Sequence, residues 1–293
     1  MKAAPFEYHA PETLEAALGL LAEFGDEAKV LAGGQSLVPV LALRLARFEH
    51  LIDLNRIPAL RYVDVANGVT RVGAMTTQAV IGGSAAIRGR VPLLADATEH
   101  IGHFQIRNRG TIGGSLSHAD PGAEYPAVVL TLDAEIVLAS TRGTRTVAAA
   151  EFFTGTFTTT AELDEILTEV RFGCRPQGWA VIELARRHGD FALAGVACAV
   201  ELDSAQRIQN LRLGLFGVAS TPVRATAAEQ AARGAAAGEI DPEAVGRAAL
   251  AGVSCVSDVH ADAGYRERVA AHLAGQAVRH ALQQARHGQA QHD

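Results

Sequence analysis

Apolar side chains at Leu14, Ala17, Leu18 and Leu21 recur at the i, i+3, i+4, i+7 spacing of a helix with one buried face, which predicts a helix over 12–24. Pro11 stands just before it and Gly25 just after it, the usual punctuation of a helix. A short apolar run from Ala28 to Ala32 then stops at Gly33-Gly34, so the order reads helix, strand, glycine turn. A second helix from about Val38 to Ala46 and a strand at 50–54 close a small N-terminal α/β unit.

The pattern changes next to a hairpin. Asn67-Gly68 suits a two-residue turn in which both positions take positive φ. Counting outward pairs Asp64 with Arg71 and Val63 with Val72, charge on charge and apolar on apolar. A helix is expected over 92–101, a second hairpin over 135–140 and 144–147 around 141–143, and an alternating strand over 165–172. Gly and Pro concentrate at 173–178, a boundary. Three strands follow, at 179–185, 192–202 and 211–219, and from about Thr226 an Ala-rich helical stretch whose last residues, Gln284–Asp293, are expected to fray. Strands followed by helices, without strict alternation, make the architecture α+β. The expected division is 1–175, with parts at about 1–54 and 55–175, and 176–293.

Composition narrows the function. Hydrophobic residues make up 48% and charged residues 20%, as in an ordinary globular chain. A formal charge of -6 without a basic run gives no electrostatic grip on nucleic acid. No stretch approaches the roughly 18 apolar residues of a membrane span, and no signal peptide opens the chain, so a cytoplasmic location is expected. Cys174, Cys198 and Cys255 are far apart and form no CxxC pair, so this chain builds neither an iron–sulfur cluster nor a zinc knuckle. Redox chemistry here needs an organic cofactor.

Two glycine loops carry the chemistry: KVLAGGQSL at 29–37 and TIGGSLSH at 111–118. Adjacent glycines let successive N–H groups converge into a nest that attracts an anion, and the missing Cβ lets a ligand approach the main chain. Two such nests suit a pyrophosphate gripped from both sides. The glycine pair at Gly82-Gly83 is read as a plain turn with no ligand, since the chain holds 29 glycines and some pairs arise by chance. Neither loop matches GxGxxG or GxxxxGK[ST], which disfavours a Rossmann or P-loop site. Spacing alone leaves the ligand open.

The segments 29–37, Thr111-Ile-Gly-Gly-Ser115, His118-Ala-Asp-Pro121 and Arg186-Arg-His-Gly-Asp-Phe191 resemble, over essentially the whole chain, the FAD-binding medium subunit of molybdenum hydroxylases of the xanthine dehydrogenase and carbon monoxide dehydrogenase type. The resemblance implies a two-part FAD-binding fold of the p-cresol methylhydroxylase and vanillyl-alcohol oxidase type, followed by a C-terminal domain with a three-stranded antiparallel sheet and helices. It implies that Ala32, Gly33, Gly34, Gln35, Ser36 and Leu37 meet the cofactor from one side, and Thr111, Gly113, Gly114 and Ser115 from the other. It places Lys29 and His118 near the cofactor and Ile101 and Gly102 along the flavin pocket. Ile166 and Leu167 match apolar positions near the adenine and flavin. Glu124 stands where relatives carry an acid, often Asp, that binds the adenosine part. Arg186, Arg187 and Asp190 match a stretch that borders the flavin entrance. Two departures are Gln35, where relatives often have His or Asn, and the longer side chain of Glu124.

Further implied are a small iron–sulfur subunit, a large molybdopterin subunit and a dimer of heterotrimers, in which electrons reach FAD from [2Fe-2S] clusters and leave to an external acceptor. No substrate-directed catalytic residue is expected in this chain, because no Ser/His/Asp or Cys/His arrangement is visible. No metal is expected: His100 and His103 are too few for a ligand set, and His272, His280 and His287 read as a solvated helix face. Apart from the family match, Arg186, Arg187 and Asp190 read as a surface ion pair. The rivals are a stand-alone flavin reductase of the UDP-N-acetylenolpyruvoylglucosamine reductase type and a subunit that has lost its flavin.

Overall fold

The structure, a computed structural model, describes residues 2–289. The N-terminal unit is a parallel three-stranded sheet of β1 (Glu7–His9), β2 (Ala28–Leu31) and β3 (His50–Asp53), in the order β1-β3-β2. The helix Leu14–Phe24 buries Ala17, Leu18 and Leu21 against it, as the spacing predicts, and Thr13 caps it by accepting from the Ala16 amide at 3.2 Å. The next helix is Leu37–Ala42, ending earlier than expected. β1 has no sequence precedent, because three residues are too few for an alternating pattern to show.

The central unit holds β4 (Val63–Ala66), β5 (Val69–Gly73), β6 (Glu135–Ser140), β7 (Gly143–Ala148), a small hairpin of β8 (Phe153–Gly155) and β9 (Thr158–Thr159), and β10 (Ile166–Phe172). Five of these form a sheet in the order β4-β5-β10-β6-β7. Asn67 and Gly68 take φ of 52° and 80°, and the pairs Val63–Val72 and Asp64–Arg71 stand in the expected register. Helices between β5 and β6, among them Pro92–His100, Ile112–His118 and Glu124–Thr131, pack against the sheet around Leu93, Leu116, Tyr125 and Val128, all fully buried.

The C-terminal sheet corrects the expectation of three strands. It has four, β11 (Gly178–Ala185), β12 (Ala192–Leu202), β13 (Ile208–Phe216) and β14 (Val223–Arg224), in sequential antiparallel order. β14 is two residues long, too short to read from alternation. Its place is set by Arg224, which donates to Glu229, Asp133 and the Leu130 carbonyl. The long helix Ala263–Gln289 lies on this sheet through Ala270, Ala274, Ala277, Ala281 and Ala285, all fully buried; small side chains let it approach closely. Residues 284–289 are helical, not frayed, and 290–293 lie outside the described residues. No helix of the described residues is long and apolar enough to cross a membrane.

Candidate functional site

β2 runs straight into the first glycine loop. The Ala32 carbonyl accepts from Asn55 Nδ2 at 2.8 Å, Asn55 is held by Asp53 Oδ1 at 2.6 Å, and Asp53 accepts from the Tyr8 hydroxyl at 2.5 Å. This chain of polar contacts fixes the strand end from which the loop departs. Gly33 is buried against the main chain of Arg109, where a Cβ would lie 2.1 Å from the carbonyl oxygen. Gly34 takes φ of 75°, a conformation that side chains strain. Gln35 folds back to donate to the Gly33 carbonyl at 2.9 Å, and the Val38 amide donates to the Gly34 carbonyl at 3.1 Å, beginning the next helix. Among the described residues the amides of Gly33, Gly34, Gln35 and Ser36 donate to no partner. Four successive donors without a protein partner are what a nest requires.

The second loop comes to meet the first. A Cβ on Gly114 would sit 3.3 Å from the Ala32 Cβ and 4.0 Å from the Gly33 nitrogen, so the two bends face each other across a few ångströms. Its amides, however, are engaged by the protein itself. Ile112 donates to the Thr76 carbonyl at 3.2 Å, Gly113 to the Ala74 carbonyl at 2.9 Å, Gly114 to the Thr111 hydroxyl at 3.0 Å, and Ser115 to the Thr111 carbonyl at 3.0 Å. The expectation of converging free N–H groups in both loops is corrected here: this loop is the capped start of the helix Ile112–His118. Gly113 is required because Ala74 leaves it no room, with a Cβ placed 2.6 Å from the Ala74 Cβ. The Ser115 hydroxyl is left without a partner among the described residues.

A cleft of about 340 Å³ opens beside the first loop, walled by Ala32, Gly33, Gly34, Gln35, Ile106 and Arg109. Arg109 and Asn55 escaped the sequence reading. Arg109 sits in the polar, basic stretch immediately before the second loop, and that adjacency was the available signal; Asn55 is visible only as a polar residue ending a strand.

The remaining predicted residues divide. Lys29 is exposed on β2, its Nζ 5.8 Å from the Phe48 ring centre. His118 stacks on Phe157 at 4.9 Å, and burial lowers its pKa; Asp120 opposes that shift and the Lys29 charge adds to it, so Lys29 and His118 share one electrostatic neighbourhood. Ser36 precedes the helix that Leu37 begins. Glu124 is buried at the start of Glu124–Thr131, and burial, aided by the Glu183 charge, pushes its carboxyl up to about 8. The carbonyls of Ile101 and Gly102 both accept from Arg107, at 2.8 and 3.0 Å. Gly189 lies against Gly102 and His103, so the 186–191 stretch borders the 101–103 turn.

One expectation, the surface ion pair at 186–190, shifts, and two further placements stand beside it. Ile166 and Leu167 stand on opposite faces of β10, Ile166 in the core beneath the N-terminal unit and Leu167 in the central core. Asp190 is exposed and its amide donates to the Arg187 carbonyl at 3.1 Å, but among the described residues its carboxylate pairs with neither Arg186 nor Arg187; Arg186 instead meets His260 at 3.0 Å. His100 and His103 separate, His100 lying 3.5 Å from Glu183 and His103 beside the His188 ring.

Residues 4–173 match the family described as the FAD binding domain in molybdopterin dehydrogenase, and residues 179–281 the CO dehydrogenase flavoprotein C-terminal domain. The chain is 40% identical over 280 residues to the carbon monoxide dehydrogenase medium chain of Hydrogenophaga pseudoflava, covering 94% of this chain and 96% of that one. It is 40% identical over 269 residues to the nicotine 6-hydroxylase medium subunit of Paenarthrobacter nicotinovorans, covering 91% and 93%. Against the xanthine dehydrogenase FAD-binding subunit of Escherichia coli O157:H7 the identity is 33% over 265 residues, covering 88% and 90%. Among solved structures, a carbon monoxide dehydrogenase from Hydrogenophaga pseudoflava superposes with a TM-score of 0.93 at 40% identity, over 97% of this chain and 99% of that one.

Proposed function

Because the chain belongs to the family of FAD-binding medium subunits of molybdenum hydroxylases, we propose that it works as the electron-transfer flavoprotein of such a complex and not as a self-sufficient enzyme. The observation that carries this reading is the run of free amides at Gly33–Ser36 opposite Gly114. A diphosphate fits the cleft beside the first loop, which backbone donors and Arg109 line. FAD, when bound, supplies the electron-carrying chemistry.

The chain's own residues hold and orient it. The amides of Gly33 to Ser36 take the diphosphate, with Ala32 and Leu37 flanking them, and the Ser115 hydroxyl adds a donor from the facing loop. Thr111 and Gly113 act indirectly, by capping and seating the helix that brings Gly114 up to Gly33. On this reading Lys29 and His118, on which the Lys29 charge acts, lie toward the cofactor. Glu124, whose carboxyl keeps its proton to about pH 8, donates as well as accepts toward the adenosine part. Ile101, Gly102 and Asp190 border the flavin entrance, and Ile166 and Leu167 brace the sheet from its two faces.

On this reading residues 1–175 form the FAD-binding unit, of the p-cresol methylhydroxylase and vanillyl-alcohol oxidase type, with parts at about 1–54 and 55–175. Residues 176–293 form the C-terminal unit. The partners are a small [2Fe-2S] subunit, which delivers electrons, and a large molybdopterin subunit, which meets the substrate, in a cytoplasmic dimer of heterotrimers. The relatives named above are each a chain or subunit of a larger enzyme, which disfavours a stand-alone flavin reductase. The test is to purify the tagged chain from its native host. It should be yellow, carry one FAD and bring two partner chains with it. Colourless protein, or a lone chain that oxidises NADPH, would overturn the reading.

A further inference from the structure

Three side chains at the edge of the N-terminal sheet converge on one nitrogen. β1 and β3 run parallel with Glu7 opposite His50. Alternation puts Glu7 and His9 on the same face of β1. There His9 Nε2 lies 3.1 Å from His50 Nδ1, and a Glu7 carboxylate oxygen 3.7 Å from that same Nδ1. The His50 ring is stacked on Phe24 at 3.8 Å and 8°, which fixes its plane. Glu27 and Glu49 bring carboxylate oxygens within 4.8 Å of the same imidazole.

One hydrogen bond, between His9 Nε2 and His50 Nδ1, leaves the Glu7 carboxylate without one. A ring nitrogen carries one proton or one lone pair. If His9 donates into the lone pair of Nδ1, that lone pair also faces the Glu7 carboxylate. If Nδ1 is protonated, a single hydrogen is divided between a carboxylate and an imidazole. A cation between them takes all three lone pairs at once. Zinc bonds of about 2.0–2.2 Å in a tetrahedron set its ligand atoms about 3.3–3.6 Å apart, a spacing that 3.1 and 3.7 Å straddle. Among the described residues no Lys or Arg pairs with Glu7, Glu27 or Glu49, so the local charge is negative. Two imidazoles and a carboxylate form a donor set suited to a transition metal rather than to calcium or magnesium.

We propose that Glu7, His9 and His50 form a divalent transition-metal site, suited to zinc, that clamps β1 to β3. Its reach extends to the first glycine loop. Tyr8, between two of the ligands, projects to the other face of β1 and holds Asp53, which holds Asn55, which holds the Ala32 carbonyl. A clamp on Glu7 and His9 therefore steadies the strand on which that relay hangs. The ligands went unseen in the sequence because His50 follows His9 by 41 residues and only the parallel pairing of β1 with β3 brings them together.

The test is calorimetric titration of zinc sulfate into the full chain after chelator treatment, beside its thermal unfolding. One equivalent should bind, and Tm should rise with zinc because the metal favours the folded state. Glu7→Gln and His9→Gln should each weaken binding by about tenfold or more, at least the penalty that losing even an outer-shell partner brings. The Glu7 side chain is 75% exposed, so its substitution leaves the fold intact. His272→Gln, on the exposed helix face, should bind as the unsubstituted chain does. No binding by the unsubstituted chain, or equal affinity in Glu7→Gln and His9→Gln, would overturn the proposal.

Discussion

The two glycine loops look alike in sequence, and both hold a glycine that leaves no room for a side chain, Gly33 against the Arg109 carbonyl and Gly113 against Ala74, but they differ in where their amides go. At Gly33-Gly34 the amides have no partner among the described residues, and the loop is held by its carbonyls, through Asn55 to Ala32 and Gln35 to Gly33. At Gly113-Gly114 the amides are already bonded, to Ala74 and to Thr111, and the glycines are there because neighbouring atoms leave no space for a side chain. On the function proposed above the first is a binding surface, and the second is a packing joint that faces it. Paired glycines thus signal close approach, and only the hydrogen-bond partners tell whether a ligand or the protein itself makes that approach.

The largest effect expected from this difference is at Gly33. Gly33→Asp places a Cβ against the Arg109 carbonyl and a carboxylate where a diphosphate belongs, so purified protein should lose its flavin, read from the visible absorption per chain. A full complement of flavin in that variant would make the two loops equivalent and wrongly assigned. Gly113→Ala should instead cost stability, about 1–3 kcal/mol for overpacking against Ala74, while the protein that remains folded keeps its flavin. Thermal unfolding with and without added FAD separates the two outcomes.

Glu124 tests the comparison from outside the loops. Its carboxyl, ordinarily near 4.5, is raised to about 8 in the fold, so between those values the unfolded chain has lost the proton that the folded chain retains. Stability contributed at this position therefore falls as pH rises through that window, and Glu124→Gln should flatten the decline. An unchanged pH profile of unfolding would show that the residue is ionised. Smaller still, Thr111→Val should cost about 1 kcal/mol by removing a helix cap, with flavin content kept if the Gly114 amide serves the helix alone. At the other glycine pair, Gly83→Ala meets nothing within 4 Å and lies in a helix, so it should be neutral or stabilising by up to about 1 kcal/mol. Flavin loss in Gly83→Ala would mean that glycine pairs matter here for some other reason.

Local chemistry was the legible part. The hairpin register follows from Asn67-Gly68 alone, and the buried face of Leu14–Phe24 from its own spacing. β1 and β14 were hidden because three and two residues cannot display a period, yet β1 supplies Tyr8 to the polar chain behind the first loop. That the two loops face each other was implied by family resemblance and not by spacing, since it depends on how the N-terminal unit docks on the helix Ile112–His118. The bonded state of the second loop had a signal in hand, a Thr just ahead of a helix start, the usual capping residue. Arg109 and Asn55 were missed because their roles arise from chain segments that meet only in the fold.

The most direct test is amide hydrogen exchange on the flavin-free and flavin-loaded chain. The amides of Gly33, Gly34, Gln35 and Ser36 should exchange fast without flavin and become strongly protected with it, while those of Gly113, Gly114 and Ser115 should be protected in both states. Protection gained equally by both loops, or by the second alone, would contradict the division of labour between them.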